Sequence, residues 1–212
     1  MSEPAKRWEG PPLEGWEGAW SPLQAAEALA GVGVPWAVAG GWAIDLWLGR
    51  QTRSHEDLEI TVVATDFPAI RARLEGLGLE LFIPGDGQVL RLPPGETPPV
   101  NPHQTWAADP AMQAWRIDVF REPGDAQTWA YRRDPTLTAP RDFAEVETDS
   151  GITVVAPQIV LFFKAKAARE KDEADFELVA PLLSADRRAW LIAALTARHA
   201  GHPWIERLSA HD

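Results

Sequence analysis

Between residues 36 and 63 the chain changes its apolar period twice, and this stretch constrains the fold more than any other. Trp36 to Ala39 is a short apolar run suited to a strand. Gly40-Gly41 breaks it, and Trp42 to Leu48 resumes with apolar residues at helical spacing. A polar loop over 49–54 follows, and then Asp57 to Val63 alternates, with Asp57, Glu59 and Thr61 set against Leu58, Ile60 and Val62. Period two makes this a strand whose two acids share one face.

The rest of the chain fits a mixed α+β core with a helical tail. Ser21-Pro22 starts a helix with a hydroxyl cap and a proline in its first turn, and Gly31 and Gly33 stop it. Thr65 or Asp66 caps a helix through about residue 75. Short strands are expected over 80–83 and 89–92, around the turn Pro84-Gly85-Asp86-Gly87. Residues 93–111 carry six prolines and read as a long loop, suited to a lid or insertion. Strands follow at 115–120, 128–132 and 152–155. Beyond Pro157 the pattern predicts helices over 159–169, 172–183 and, behind a Ser184 cap, 185–198, with a short helix or docked tail from Gly201. Residues 1–20 show no period and read as an irregular arm docking through Trp8, Trp16 and Trp20. The expected division is therefore an arm (1–20), a core (21–156) and a helical part (157–212).

Composition removes several classes of function. Twenty Lys and Arg against 31 Asp and Glu give a net charge of -11, which argues against a generic nucleic-acid binder. The excess suits a cationic ligand, carboxylates gathered around a divalent metal, or simply solubility. With no cysteine, disulfides, thiolate nucleophiles and Cys-type zinc sites are excluded. No apolar run is long enough to span a membrane, and the first residues lack a signal-peptide layout, so a cytoplasmic location is expected. Oligomeric state is left open.

The chemistry concentrates in three places. A Gly40-Gly41 turn opening a helix leaves backbone N–H groups free, which suits phosphate. Asp57 and Glu59, two apart on a strand, project together about 7 Å apart along the chain, as one or two magnesium ions require. Asp118 lies in an apolar strand, where an unpaired carboxylate is costly, and it completes a three-acid cluster if its strand neighbours the first. Singly, a Gly-Gly pair is usually just a turn, and alternating acids are usually just a solvent face. In this order the three are far more specific.

The run AGGWAIDLWLGRQTRSHEDLEI resembles the signature of small-molecule nucleotidyltransferases of the polymerase-beta-like superfamily, closest to the aminoglycoside 2''-adenylyltransferase and lincosamide nucleotidyltransferase branch. The matching positions are Gly40, Gly41, Trp42, Asp45, Gly49, Arg50, Thr52, Arg53, His55 and Asp57, with Glu59 where the branch usually has a second Asp. The later run LFFKAKAAREKDEADFELV resembles the C-terminal helices of the same group. The resemblance implies a polymerase-beta-like core, a mixed sheet flanked by helices, followed by a helical part.

It also implies a mechanism. A nucleoside triphosphate, ATP as the first choice, would lie over Gly40-Gly41. Asp57 and Glu59 would bind magnesium, Asp118 would share a second ion, and a hydroxyl of a small, cationic acceptor such as an aminoglycoside or lincosamide would attack the α-phosphate, releasing pyrophosphate. Asp118 is assigned as the base. Trp42, Arg53, His55 and Lys164 are candidate nucleotide contacts, with Lys171, Asp172 and Asp175 as supports for Lys164. Arg53 has the alternative of a surface ion pair, His55 of a structural hydrogen bond, and Lys164 of a solvated, salt-bridged helix face. Arg132 and Arg133 are weaker candidates, and His103, His199, His202 and His211 read as surface residues. A non-catalytic relative, a nucleotide-binding or antitoxin-like partner, is the competing reading, and Glu59 is its support.

Overall fold

The structure is a computed structural model that describes residues 10–12, 15–85 and 88–210. Trp8, His211 and the turn residues Asp86 and Gly87 lie outside the described residues. The elements run α1 (Pro22–Ala28), β1 (Ala37–Val38), α2 (Gly40–Trp47), β2 (Glu59–Val63), α3 (Phe67–Gly76), β3 (Glu80–Gly85), β4 (Gln88–Leu92), β5 (Gln104–Asp109) and β6 (Ala114–Glu122). They continue β7 (Thr128–Tyr131), β8 (Asp134–Pro140), α4 (Arg141–Ala144), β9 (Glu145–Glu147), β10 (Thr153–Val155), α5 (Pro157–Ala165), α6 (Glu170–Val179), α7 (Ala185–Arg198) and α8 (Pro203–Ser209). The chain divides into two compact units, Met1–Trp36 with His55–Asp125, and Ala37–Ser54 with Ala126–Asp212.

In the first unit the strands lie in the order β4-β3-β5-β6-β2. The β4-β3, β3-β5 and β5-β6 pairs are antiparallel, and β2 runs parallel to β6. Leu58, Ile60, Ile117 and Val119 are fully buried, together with Ile70 and Leu74 of α3. The stretch 93–111, expected as one long loop, corrects that expectation. Its prolines all fall outside residues 104–109, and Gln104–Asp109 forms β5 between β3 and β6. Burial alternates over 104–107 and slips at the Ala107/Ala108 irregularity, but the buried positions are Thr105 and Ala107 and the half-buried one is Trp106, so the period is invisible in sequence. The preceding loop is strapped by two buried arginines. Arg71 donates to the carbonyls of Pro93 and Glu96, and Arg121 to those of Pro99, Pro102 and Gln104.

Of the tryptophans in the expected arm, Trp16 packs by its ring against the strands. Trp16 sits 5.3 Å from Trp106 and 5.9 Å from Trp115, ring to ring. The Trp115 indole donates to Pro12 O at 2.8 Å, and Arg116 donates to Gly18 O. A Cβ at Gly18 would come within 2.6 Å of the Ala114 side chain, so the close approach of arm to β6 requires glycine there. Ser21 caps α1 by accepting from the Gln24 N–H, with Gln24 answering to the Ser21 N–H.

The second unit holds the helices. β1 pairs parallel with β10, β10 pairs antiparallel with β9, and β7 and β8 form a separate hairpin. The pattern did not reveal β8, α4 or β9. Prolines 135 and 140 obscure β8, and they are tolerated because the hairpin has only edge strands. The predicted helix over 159–169 ends at Ala165, and a new helix starts at Glu170. The break is enforced by Asp172, whose carboxylate accepts from the Arg169 backbone N–H at 3.0 Å and so caps α6. Ser184 caps α7 as expected.

Three of the histidines expected on the surface, His103, His199 and His202, are half-buried instead. His199 packs against the Phe162 ring, and His202 caps α8 by accepting from Trp204 N. Burial lowers the pKa of His199 and His202 below the ordinary imidazole value. Arg132 and Arg133 stack on Phe163, and Arg133 also reaches the Tyr131 hydroxyl. Among the described residues, no helix is long and apolar enough to cross a membrane.

Candidate active site

The three acids singled out in sequence are neighbours within the first unit. Glu59 and Asp118 stand opposite each other in the parallel β2-β6 register, so their side chains leave the same face. The Asp118 N–H donates to Leu58 O at 2.9 Å, which locks the two strands at this level. Asp57 lies two residues before β2 begins, just ahead of the strand that was expected to contain it. Asp118 is buried, at 3% exposure, while Asp57 and Glu59 are half-buried.

Burial pushes the Asp118 carboxyl well above the ordinary carboxylate range, and the nearby charges of Glu59 and Asp57 push it further. One interaction opposes them strongly. Gln104 Nε2 donates to Asp118 Oδ2 at 2.7 Å. The Trp106 indole N–H lies close enough to act in the same direction, although it makes no hydrogen bond itself. The other carboxylate oxygen, Oδ1, is buried without a hydrogen-bond partner. Gln104 and Trp106 sit on β5 beside Asp118, with Trp106 directly in register with it. Neither was singled out in sequence, because the stretch that carries them read as loop.

Among the described residues, no group of three or more His, Asp or Glu forms a ready-made metal site. The donor set nevertheless fits a hard dication. Three carboxylates repel one another, one of their oxygens is buried and unsatisfied, and a divalent ion would relieve both costs. A cavity of about 530 Å³ under the 93–103 segment is separate from this cluster. Arg121, which lines it, is an odd number of residues from Asp118 and so points to the opposite face of β6.

The glycine pair and the basic candidates belong to the second unit. Gly40 begins α2 with φ of 62°, a left-handed value that favours glycine. The first turn of a helix leaves its N–H groups without intrahelical acceptors, and no side chain caps this one. Trp42 lies half-buried in that turn. Asp45, buried one turn later, explains the Thr of the motif. The Thr52 hydroxyl donates to Asp45 Oδ1 at 2.5 Å, and the Arg50 N–H donates to Asp45 O at 3.1 Å, so the loop after α2 is tied back onto the helix.

Arg53 and Lys164, proposed from sequence as nucleotide contacts, share one carboxylate. Arg53 donates to Asp175 from Nε and Nη2, the latter at 3.2 Å. Lys164 Nζ lies 3.0 Å from Asp175 and 2.7 Å from Asp172. Asp172 also accepts from Arg169 Nε at 3.0 Å. Burial alone would raise the Asp172 pKa, but the hydrogen bonds from Arg169 and Lys164 outweigh it and hold the carboxyl down at about 2. His55 belongs to the first unit and is half-buried.

Residues 23–85 match the family model of aminoglycoside-2''-adenylyltransferase, which spans the glycine pair, Asp57 and Glu59. Two solved structures share the architecture. The lincosamide antibiotic adenylyltransferase LnuA, in its lincomycin-bound crystal structure, is 17% identical with a TM-score of 0.53. The match covers 73% of this chain and 91% of LnuA. The antibiotic-resistance factor ANT(2'')-Ia is 20% identical with a TM-score of 0.55, covering 90% of this chain and 94% of that one. The fold is that of a polymerase-beta-like nucleotidyltransferase. Within that fold, the chain resembles the aminoglycoside and lincosamide nucleotidyltransferase branch. No curated protein sequence matches it significantly. The family match contains the stretch where the two period changes were read, and the likeness of fold extends beyond it at low identity.

Proposed function

We propose that the protein is a magnesium-dependent nucleotidyltransferase. It would transfer a nucleoside monophosphate, from ATP in the first instance, to a hydroxyl of a small cationic acceptor such as an aminoglycoside or lincosamide. The observation that carries this reading is the trio Asp57, Glu59 and Asp118, held beside one another with a buried carboxylate oxygen left unsatisfied. The family match over residues 23–85 supports it independently.

Each residue has a stated part. Asp57 and Glu59 would hold magnesium, and Asp118 would share it. Bound magnesium supplies positive charge to the triphosphate and to the leaving oxygen. The N–H groups of Gly40 and Gly41 would donate to phosphate oxygens. Asp118 would accept the proton of the acceptor hydroxyl as that oxygen bonds to the α-phosphorus and pyrophosphate departs. A carboxyl whose pKa is raised by burial is suited to take that proton. Arg53, anchored to Asp175, and His55 would contact the nucleotide.

The test is pyrophosphate release from a panel of nucleoside triphosphates with pooled aminoglycosides or lincosamides. Acceptor-dependent release that needs magnesium supports the enzyme. Magnesium-dependent triphosphate binding without release would favour the non-catalytic relative, and absence of both would overturn the assignment.

A further inference from the structure

Asp118 has two carboxylate oxygens in unlike surroundings. Oδ2 accepts a 2.7 Å hydrogen bond from Gln104 Nε2, and Oδ1 is buried with no partner. Gln104 reaches it from the neighbouring strand, two residues from Trp106, which faces Asp118 in register. The Asp118 backbone is fixed as well, through its N–H bond to Leu58 O. A carboxylate held at its backbone and at one oxygen has little freedom left in its side-chain torsions. The remaining oxygen is then held in one orientation, at the level where the neighbouring strand carries Glu59 in register.

We infer that Gln104 is a positioning residue for the transfer reaction, orienting Asp118 so that Oδ1 serves the metal and the acceptor hydroxyl. The inference rests on the proposed function and adds to it a residue outside the 23–85 family match. Gln104 acts through Asp118, to which its amide donates. An amide suits the task because its NH2 can only donate, so it holds an ionised carboxylate and adds no charge to a cluster that is already acidic. Outer partners of this kind orient a ligand and tune its basicity, and losing one commonly costs about 10–100-fold in metal affinity or activity.

The test uses the full-length chain with Gln104→Met, which keeps the side-chain length and removes the donor. Mn2+ alone is titrated and followed by its electron paramagnetic resonance signal, and kcat and KM are measured for acceptor-dependent pyrophosphate release. The expected result is Mn2+ affinity and kcat both reduced by about 10–100-fold, with KM for the triphosphate within about threefold and an unchanged melting profile. Gln104→Asn keeps an amide one methylene shorter, and it is expected to fall between wild type and Gln104→Met. It carries the test if the methionine variant folds poorly. Wild-type values for both Mn2+ affinity and kcat in the folded variants overturn the inference alone. A wild-type protein that neither binds Mn2+ nor releases pyrophosphate overturns the function proposal, and the inference with it.

Discussion

Asp118 and Asp172 are both aspartates buried to within a few per cent of full burial, yet their carboxyls are driven in opposite directions. Asp172, in the second unit, meets Lys164 and Arg169 and is held at a pKa of about 2. Asp118, in the first, meets two more carboxylates and one amide, and is pushed well above the ordinary range. The difference separates two uses of a buried acid. Where cations and caps surround it, the acid joins α5 to α6 and fixes the start of a helix. Where like charges surround it, the cluster is electrostatically incomplete by itself, and a divalent cation is the partner that completes it.

The contrast predicts that variants on the two sides fail differently. The largest effect is expected for Asp57→Asn, which removes a proposed metal ligand: acceptor-dependent pyrophosphate release should fall by about 10³-fold or more, with the melting temperature held or raised. Full activity in this variant would remove Asp57 from the site. Glu59→Asp, which restores the residue usual in the branch, should keep activity within about tenfold, whereas Glu59→Gln should lose about 100-fold. Comparable activities for the two would break the metal assignment of Glu59.

On the second side the expected loss is stability. Lys164→Met leaves Asp172 and Asp175 with less compensation and should cost about 3–5 kcal/mol by chemical denaturation. Lys166→Met on the exposed face nearby should stay within about 0.5 kcal/mol. Equal effects at the two lysines would show that the buried network is not what holds α5 to α6.

The pH dependence follows with its sign. Asp172 has a folded pKa of about 2 against an ordinary 3.8, so its contribution is present above the unfolded value. That contribution, about 2 kcal/mol, should be lost as pH falls from about 5 toward 2. Asp118 works the other way, because its folded pKa is raised. Stability is greatest below the unfolded value and declines as pH rises toward the folded one. Denaturation curves of Asp172→Asn and Asp118→Asn across pH 3–8 should therefore diverge, the first flattening the acid limb and the second the neutral limb. Thr52→Val removes the hydroxyl that donates to buried Asp45 and should cost about 1–3 kcal/mol.

What could be read from sequence followed from periodicity. The strand that opens at Glu59, the glycine break and the Ser21 and Ser184 caps are local patterns, and each stands in the structure near where it was expected, with Asp57 just ahead of the strand. Pairing partners are not local. Gln104 was hidden because β5 puts Thr105 and Ala107 on its buried face and Trp106 on its half-buried one, so hydrophobicity does not follow burial, and prolines on either side of it look like loop. Lys164 was read toward phosphate with Asp172 and Asp175 as its supports, and it pairs with both, but no local pattern shows that Asp172, across the helix break at 166–169, also caps the next helix. Asp45 and Thr52 are seven residues apart, a spacing that predicts no contact until the loop folds back onto α2.

The central claim is that the first unit's carboxylates form a site built to be completed by a metal. The most direct measurement is the melting temperature of wild type and Asp118→Asn near pH 7.5, in chelator and again in excess magnesium. The account predicts that Asp118→Asn melts above wild type in chelator, because a raised carboxyl pKa marks a destabilising ionised group, and that magnesium raises the wild-type value alone. An Asp118→Asn protein that melts below wild type in chelator, with both responding equally to magnesium, would contradict it.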